Sequence, residues 1–127
     1  MRLIGANVVL DTDAVVALRP SGINRAAALT RGIAQIGTPF DMRFDSSDAS
    51  ALFCAELIGL VYPTAPLPRT AVLGRETIVI DAIVAASLSG DLPFGLVGYV
   101  TASPGGGARV QSARDLALDI RLQWPDR

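Results

Sequence analysis

The chain has 127 residues, half of them hydrophobic, and a formal net charge of −1. This length suits one domain over residues 1–127 with a core of its own. All eleven basic residues are arginines scattered along the chain, so the basic stripe of a nucleic-acid-binding protein is missing and no nucleic-acid partner is expected.

The apolar content is mainly aliphatic, with 6% aromatic residues and a mean hydropathy of +0.43. No run reaches the ~18 uninterrupted apolar residues of a transmembrane helix. The N-terminal segment is too short for a signal peptide, and its charged residues come too early. The hydrophobic excess instead predicts an apolar surface that further N-terminal sequence or a second copy of the chain covers, which makes a homo-oligomer a candidate partner.

The chain contains one cysteine, Cys54, and no histidine. A single cysteine excludes an intrachain disulfide framework and a metal site built from several cysteines. A zinc site would then depend on carboxylates alone, which zinc sites rarely do. We therefore expect no metal and no cofactor.

The first 40 residues predict two short strands and a helix. Valine-rich segments at residues 7–10 and 14–19 indicate a hairpin or two strand pieces. A helix is predicted over residues 24–36, with Asn24 or Ser21 as N-cap and Gly37 after its last turn. Four aliphatic residues spaced three and four apart give this helix one apolar face: Ala26, Leu29, Ile33 and Ile36.

A second helix is predicted over residues 48–61, capped by Ser47 or Asp48. Its expected buried stripe consists of Phe53, Leu57, Leu60 and Val61. Cys54 and Glu56 lie two residues apart in it, which separates their directions by about 200° around the helix axis. The two side chains are therefore expected to face different flanks of the helix.

The second half of the chain predicts mostly short elements. Residues 64–69 form an irregular loop, residues 78–80 a brief strand, and Asp81 caps a short helix through residue 87. A strand over residues 94–101 is followed by a glycine-rich loop at residues 103–107. Alternating apolar and polar residues then predict a half-buried strand over residues 116–124, ending in Trp124.

Cys54 is the candidate nucleophile, although a lone cysteine in an apolar helix is most often a small buried hydrophobic residue. Near a helix N-terminus, free backbone N–H groups and the helix dipole favour the thiolate. The same N–H groups are suited to stabilising the oxyanion of an acyl-transfer intermediate. Asp41 and Asp45, which lie upstream, are explained equally well as turn or cap residues.

Three short motifs around Cys54 resemble those of a known family. Gly37-Thr38-Pro39-Phe40-Asp41, then Phe44-Asp45, then Leu52-Phe53-Cys54-Ala55-Glu56-Leu57-Ile58 resemble the signature of the permuted NlpC/P60 family, the YiiX-like papain-fold amidases. Phe40 stands where that family usually has tyrosine, and Ala55 where it usually has serine. The family's histidine-bearing strand would precede residue 1.

The resemblance implies an α+β fold, with a small antiparallel sheet packed against two main helices as an N-terminally incomplete papain-like core. It also implies that Cys54 attacks amide or ester bonds of cell-wall peptides or lipid-like substrates through an acyl-enzyme. Asp41, Phe40 and Glu56 would line or support the cleft. Without histidine, this chain alone is expected to have little or no activity. The alternative is a non-catalytic binding or assembly module.

Overall fold

A computed structural model describes residues 10–123 of the chain. Four helices accompany a three-stranded antiparallel sheet and a separate two-stranded hairpin within these residues, which confirms the α+β class. In chain order the elements are β1 (Ala14–Pro20), α1 (Arg25–Ile33), α2 (Cys54–Val61), β2 (Thr70–Val72), β3 (Arg75–Thr77), α3 (Ile80–Ser89), β4 (Phe94–Ala102), β5 (Ala108–Gln111) and α4 (Ala113–Gln123).

The three-stranded sheet has β4 at its centre, with β1 and β5 on either side. The pairing of β1 with β4 shifts between Ala17, which faces Gly98, and Leu18, which faces Leu96. Val97 is left without a partner in β1, so the sheet has a bulge there. The strands predicted at residues 14–19 and 94–101 are confirmed. Of the first predicted strand, at residues 7–10, residue 10 is helical and not extended, and residues 7–9 lie outside the described residues.

Helix α1 begins as predicted and ends earlier. The Asn24 side chain accepts a hydrogen bond from the Ala27 N–H at 3.0 Å, as an N-cap residue does. The helix ends at Ile33 because the following amides bond three residues back, Gln35 to Gly32 at 3.1 Å and Ile36 to Ile33 at 3.0 Å. The predicted extension to residue 36 is therefore wrong.

Helix α2 begins at Cys54 and not at residue 48. Asp48 accepts hydrogen bonds from the N–H and the hydroxyl of Ser50, so it stabilises a local turn and does not cap the helix. Leu52 is then held extended by a bridge to Phe40. Because Phe53 is also extended, the first helical residue is Cys54.

The strand predicted over residues 116–124 is wrong, since residues 113–123 form helix α4. Ser112 and Asp115 form a reciprocal cap: the Ser112 N–H donates to the Asp115 carboxylate at 2.9 Å, and the Asp115 N–H donates to the Ser112 hydroxyl at 3.1 Å. Leu116 is buried and Ile120 packs beside it, at helical spacing. Leu118, which the strand would have put with them, is 49% exposed. Trp124 lies outside the described residues.

Two smaller predictions also need correction. Residues 78–80 do not form a strand, and Val79, not Asp81, is the N-cap of α3. The hairpin of β2 and β3, and strand β5, were not predicted at all. The loops at residues 64–69 and 103–107 are confirmed.

The core consists of two clusters of buried side chains. One cluster joins α2, α3 and the start of β4, with Phe53, Ile83 and Phe94 among its members. The other joins α3, β4 and α4. Helices α2 and α3 thus pack against the start of β4 through the first cluster, and α3 and α4 pack against β4 through the second. Helix α1, expected as one of the two main helices, contributes to neither cluster. In the first cluster Phe53 and Ala55, at the start of α2, are grouped with Phe94, and the rings of Tyr62 and Phe94 lie 5.4 Å apart.

Candidate functional site

An open groove of about 860 Å³ lies between β1, α1 and α2. Its walls carry apolar side chains from all three elements and from the bulge at Val97. Leu29 and Ile33, from the predicted apolar face of α1, are 65% and 53% exposed and line this groove. The apolar face of α1 is thus used to build the groove and not to fill the core.

Cys54 lies in this groove at the first position of α2, and its side chain is exposed. It is therefore not the small buried core residue that a lone cysteine most often is. The first amide of α2 to find an acceptor is that of Leu57, which donates to the Phe53 carbonyl at 3.2 Å. The amides of Cys54, Ala55 and Glu56 precede it and donate to no acceptor in the described part of the chain.

Phe40 lines the same groove and is half exposed. Its backbone is fixed beside the start of α2, because the Leu52 N–H donates to the Pro39 carbonyl at 3.0 Å and the Asp41 N–H donates to the Leu52 carbonyl at 3.1 Å. The ring of Phe40 contacts that of Phe44 edge to face, with 5.9 Å between the centroids. Phe40 therefore stands where a cleft residue would stand.

Asp41 has a different position. Its side chain is buried, with 3% exposure, and does not line the groove. Its two carboxylate oxygens accept hydrogen bonds from the N–H groups of Arg43 at 2.7 Å and Asp45 at 2.6 Å. Asp41 thus closes the loop that carries Phe40 and Phe44, which is the turn role that the sequence left open for it.

Glu56 lies on the flank of α2 away from Cys54, as the helical spacing predicted. It is 9% exposed and borders a second cavity of about 580 Å³, on the other side of the helix. Its carboxylate accepts a hydrogen bond from the Phe53 N–H at 3.1 Å and so caps the helix on which Cys54 lies. Burial raises the pKa of Glu56 above its usual value, against the opposing effect of that hydrogen bond.

Two arginines complete the groove, and neither was predicted as a site residue. Arg19 on β1 and Arg25 at the start of α1 are the charged residues among its lining, and no carboxylate lines it. Neither arginine forms an ion pair within residues 10–123, where the only such pair joins Arg69 and Glu76 at 2.8 Å. Alternation along β1 and the N-cap at Asn24 were the available signals, because together they place both arginines at one end of neighbouring elements.

No family model matches this sequence, no curated protein is detectably similar to it, and no solved structure matches it. The resemblance to the permuted NlpC/P60 family therefore stays a prediction that depends on the short motifs between Gly37 and Ile58. None of the helices in residues 10–123 has the length and apolar content that crossing a membrane requires. These residues also bring no three histidine, cysteine or carboxylate side chains together as metal ligands.

Proposed function

We propose that this domain is a cysteine hydrolase-like acyl acceptor, in which Cys54 attacks an amide or ester bond of a peptide or lipid-like substrate bound in the groove. The observation that carries the proposal is the position of Cys54, exposed at the first residue of α2 and inside an apolar groove of about 860 Å³. Ligand sites in proteins commonly have volumes of roughly 300–1,000 Å³ and mostly apolar walls.

The chemistry begins with the Cys54 thiolate, whose proton goes to solvent. Sγ bonds to the substrate carbonyl carbon, and the carbonyl π electrons move to oxygen. The unpaired amides of Cys54, Ala55 and Glu56 are placed at the end of α2 where such an oxyanion would be stabilised. When the intermediate collapses, the C–O or C–N bond breaks, the leaving group departs with that electron pair, and a thioester remains on Cys54.

Proton transfer limits this chemistry. An amine or alkoxide must take up a proton as it leaves, and the 127 residues contain no histidine to supply it. Glu56, the carboxylate nearest in sequence, faces the other cavity. We therefore expect esters with good leaving groups to acylate Cys54 once, and the resulting thioester to hydrolyse slowly.

The test is reaction with p-nitrophenyl acetate, which releases a phenolate that needs no proton. We expect one acetyl group per chain by intact mass, on Cys54, formed several times faster than on N-acetylcysteine at the same pH. Cys54→Ser is expected to abolish the fast labelling. Labelling no faster than that of the free thiol, or labelling at other residues, would refute the proposal. The pH dependence of Cys54 alkylation by iodoacetamide gives an independent check of thiolate formation.

A second function, binding without catalysis, is favoured by the same lack of a proton donor. In that case the groove would hold its ligand while Cys54 only lines the wall. The acetylation experiment separates the two functions, because a binding module has no reason to react faster than a free thiol.

A further inference from the structure

The cavity on the other side of α2 from Cys54 contains a carboxylate that the proposed chemistry does not use. Glu56 is 9% exposed and borders this space of about 580 Å³. One of its two carboxylate oxygens accepts a hydrogen bond from the Phe53 N–H at 3.1 Å. The other accepts none from residues 10–123, yet no fully buried side-chain oxygen or nitrogen in these residues lacks a partner. This second oxygen is therefore open to the cavity that Glu56 borders.

The charges around this cavity favour a cation. Asp48 borders it as a second carboxylate. Arg69 is the basic residue among the lining, but its guanidinium group pairs at 2.8 Å with Glu76, which does not line the cavity. A carboxylate that has lost much of its water is costly to keep charged without an opposite charge beside it. A cation placed next to Glu56 would offset that cost.

The walls of the cavity indicate which kind of cation fits. They carry aliphatic side chains such as Leu60 and Ile78, and no aromatic ring from residues 10–123 lines them. Quaternary ammonium groups are usually held against aromatic faces. A primary ammonium group instead donates three hydrogen bonds, and the lining offers side-chain oxygens on Glu56, Gln35 and Ser46. A divalent cation takes about six or more oxygen ligands, whereas residues 10–123 bring no three carboxylate, cysteine or histidine side chains together.

We propose that this cavity binds an organic cation with a primary ammonium group on a short aliphatic stem. The ammonium group contacts the open oxygen of Glu56, and the stem lies against the aliphatic wall. The ligand and the Phe53 N–H use different oxygens of the same carboxylate, so binding leaves the start of α2 in place. The site is separate from the groove and does not depend on the reactivity of Cys54.

The probe for the test is n-butylammonium, titrated into the full chain at neutral pH with the ionic strength held constant by sodium chloride. The Phe53 amide, followed by nuclear magnetic resonance, is the reporter because it bonds to Glu56. We expect a saturable shift with a dissociation constant of about 1–10 mM. Two ligands with the same butyl stem are expected to bind about tenfold more weakly: n-butanol, which has no charge, and butyltrimethylammonium, which has no N–H donor.

A set of variants locates the binding. Glu56→Gln keeps an oxygen for the Phe53 N–H but presents an uncharged amide to the cavity, and it is expected to weaken n-butylammonium binding about tenfold and to leave n-butanol binding unchanged. Asp48→Asn, at a partly exposed position, is expected to weaken it about twofold. The matched control is Asp13→Asn, which removes an exposed carboxylate outside the cavity and is expected to have no effect.

A pH series gives a readout that a purely structural role of Glu56 would not change. Burial raises the pKa of Glu56 and the nearby Asp41 and Asp45 add to this, whereas the Phe53 N–H and Arg69 oppose it. Protons and n-butylammonium compete for the same carboxylate. The affinity of the wild type should therefore rise with pH until Glu56 is fully ionised and then stay constant, and the affinity of Glu56→Gln should not follow this curve.

Three results would overturn the proposal: n-butanol or butyltrimethylammonium binding as tightly as n-butylammonium, unchanged affinity in Glu56→Gln, or equal weakening in Asp13→Asn. The comparison of ligands uses the unaltered chain, so it decides the matter even if Glu56→Gln does not fold.

Discussion

Glu56 stabilises the start of α2, because its carboxylate accepts a hydrogen bond from the Phe53 N–H. Its side chain borders the second cavity and does not line the groove. Burial disfavours the charged form of its carboxylate, and Asp41 nearby adds to that effect. Removing Glu56 is therefore expected to change the stability of the chain more than the ligand preference of the groove.

The raised pKa of Glu56 gives a definite pH dependence. Between the ordinary glutamate pKa of 4.5 and the higher pKa of Glu56 in the folded chain, the folded state binds more protons than the unfolded state. The free energy of unfolding therefore falls as pH rises through this window and levels off above it. Glu56→Gln keeps an oxygen for the Phe53 N–H and lacks the titration. We expect the variant to gain stability relative to the wild type as pH rises from 4.5, in urea unfolding over a series of pH values.

The control for this experiment is Glu76→Gln, because Glu76 is an exposed carboxylate in a surface ion pair with Arg69. Surface pairs of this kind contribute about 0–1 kcal/mol. The pKa values of Asp45 and Asp48 are shifted in the opposite direction to that of Glu56, because hydrogen bonds from Ser47 and Ser50 lower them. Their contribution is lost as pH falls below about 4, so it does not overlap the Glu56 window. A difference between Glu56→Gln and wild type that stays constant with pH would contradict the prediction.

Helix α4 is attached to the sheet by one polar contact in addition to its apolar face. The Tyr99 hydroxyl of β4 donates to the Asp119 carboxylate of α4 at 2.7 Å. That hydrogen bond, together with burial, raises the pKa of Tyr99 to about 12. We expect Tyr99→Phe to lower the free energy of unfolding by about 1–2 kcal/mol at neutral pH, because Asp119 loses a partner in a partly buried position.

The same contact predicts behaviour at high pH. The folded state holds the Tyr99 proton more tightly, so its stabilising contribution is complete below pH 10 and is lost as pH rises from 10 towards 12. The Tyr99→Phe variant does not lose this contribution. The difference in the free energy of unfolding between the two proteins, measured in urea, should therefore be smaller at pH 11 than at pH 8. Tyr62→Phe is the control, because the Tyr62 hydroxyl has no hydrogen-bond partner within residues 10–123 and the ring keeps its contact with Phe94. A gap that widens with pH would contradict the prediction.

The elements that the sequence predicted well are those whose ends have their own polar signals. Asn24 caps α1, and its side chain identified the start of that helix correctly. The start of α2 was misplaced because Asp48 stabilises a turn, a role that looks the same in the sequence as an N-cap. In α4 the alternation of Leu116, Leu118 and Ile120 predicted a strand, whereas the structure has a helix that begins with the more local Ser112–Asp115 cap.

At the scale of the whole molecule, the groove accounts for part of the hydrophobic excess, and other apolar side chains, such as Leu73 and Val110, are exposed elsewhere. Several large apolar side chains stay 44–65% exposed along it: Leu29, Ile33, Ile36, Phe40 and Val97. The sequence predicted an uncovered apolar surface but not its position. The groove forms only when residues that are far apart in the chain, such as 54 and 97, come together. The sequence predicted Cys54 near the start of a helix but put that start at residue 48 and not at residue 54. The approach of Arg19 and Arg25 to the groove depends on tertiary packing.

The prediction of a single domain can be tested through Leu18 on β1, the side chain that packs against both core clusters. If the two clusters unfold together, Leu18→Ala should lower the free energy of unfolding by about 2–3 kcal/mol while unfolding stays a single transition. Far-ultraviolet circular dichroism and tyrosine fluorescence should give the same midpoint in urea. Leu118→Ala is the control, since Leu118 is half exposed and its loss should cost little. Midpoints that separate between the two probes would instead show that the α2 cluster and the α4 cluster fold as independent units, although both include residues of α3 and β4.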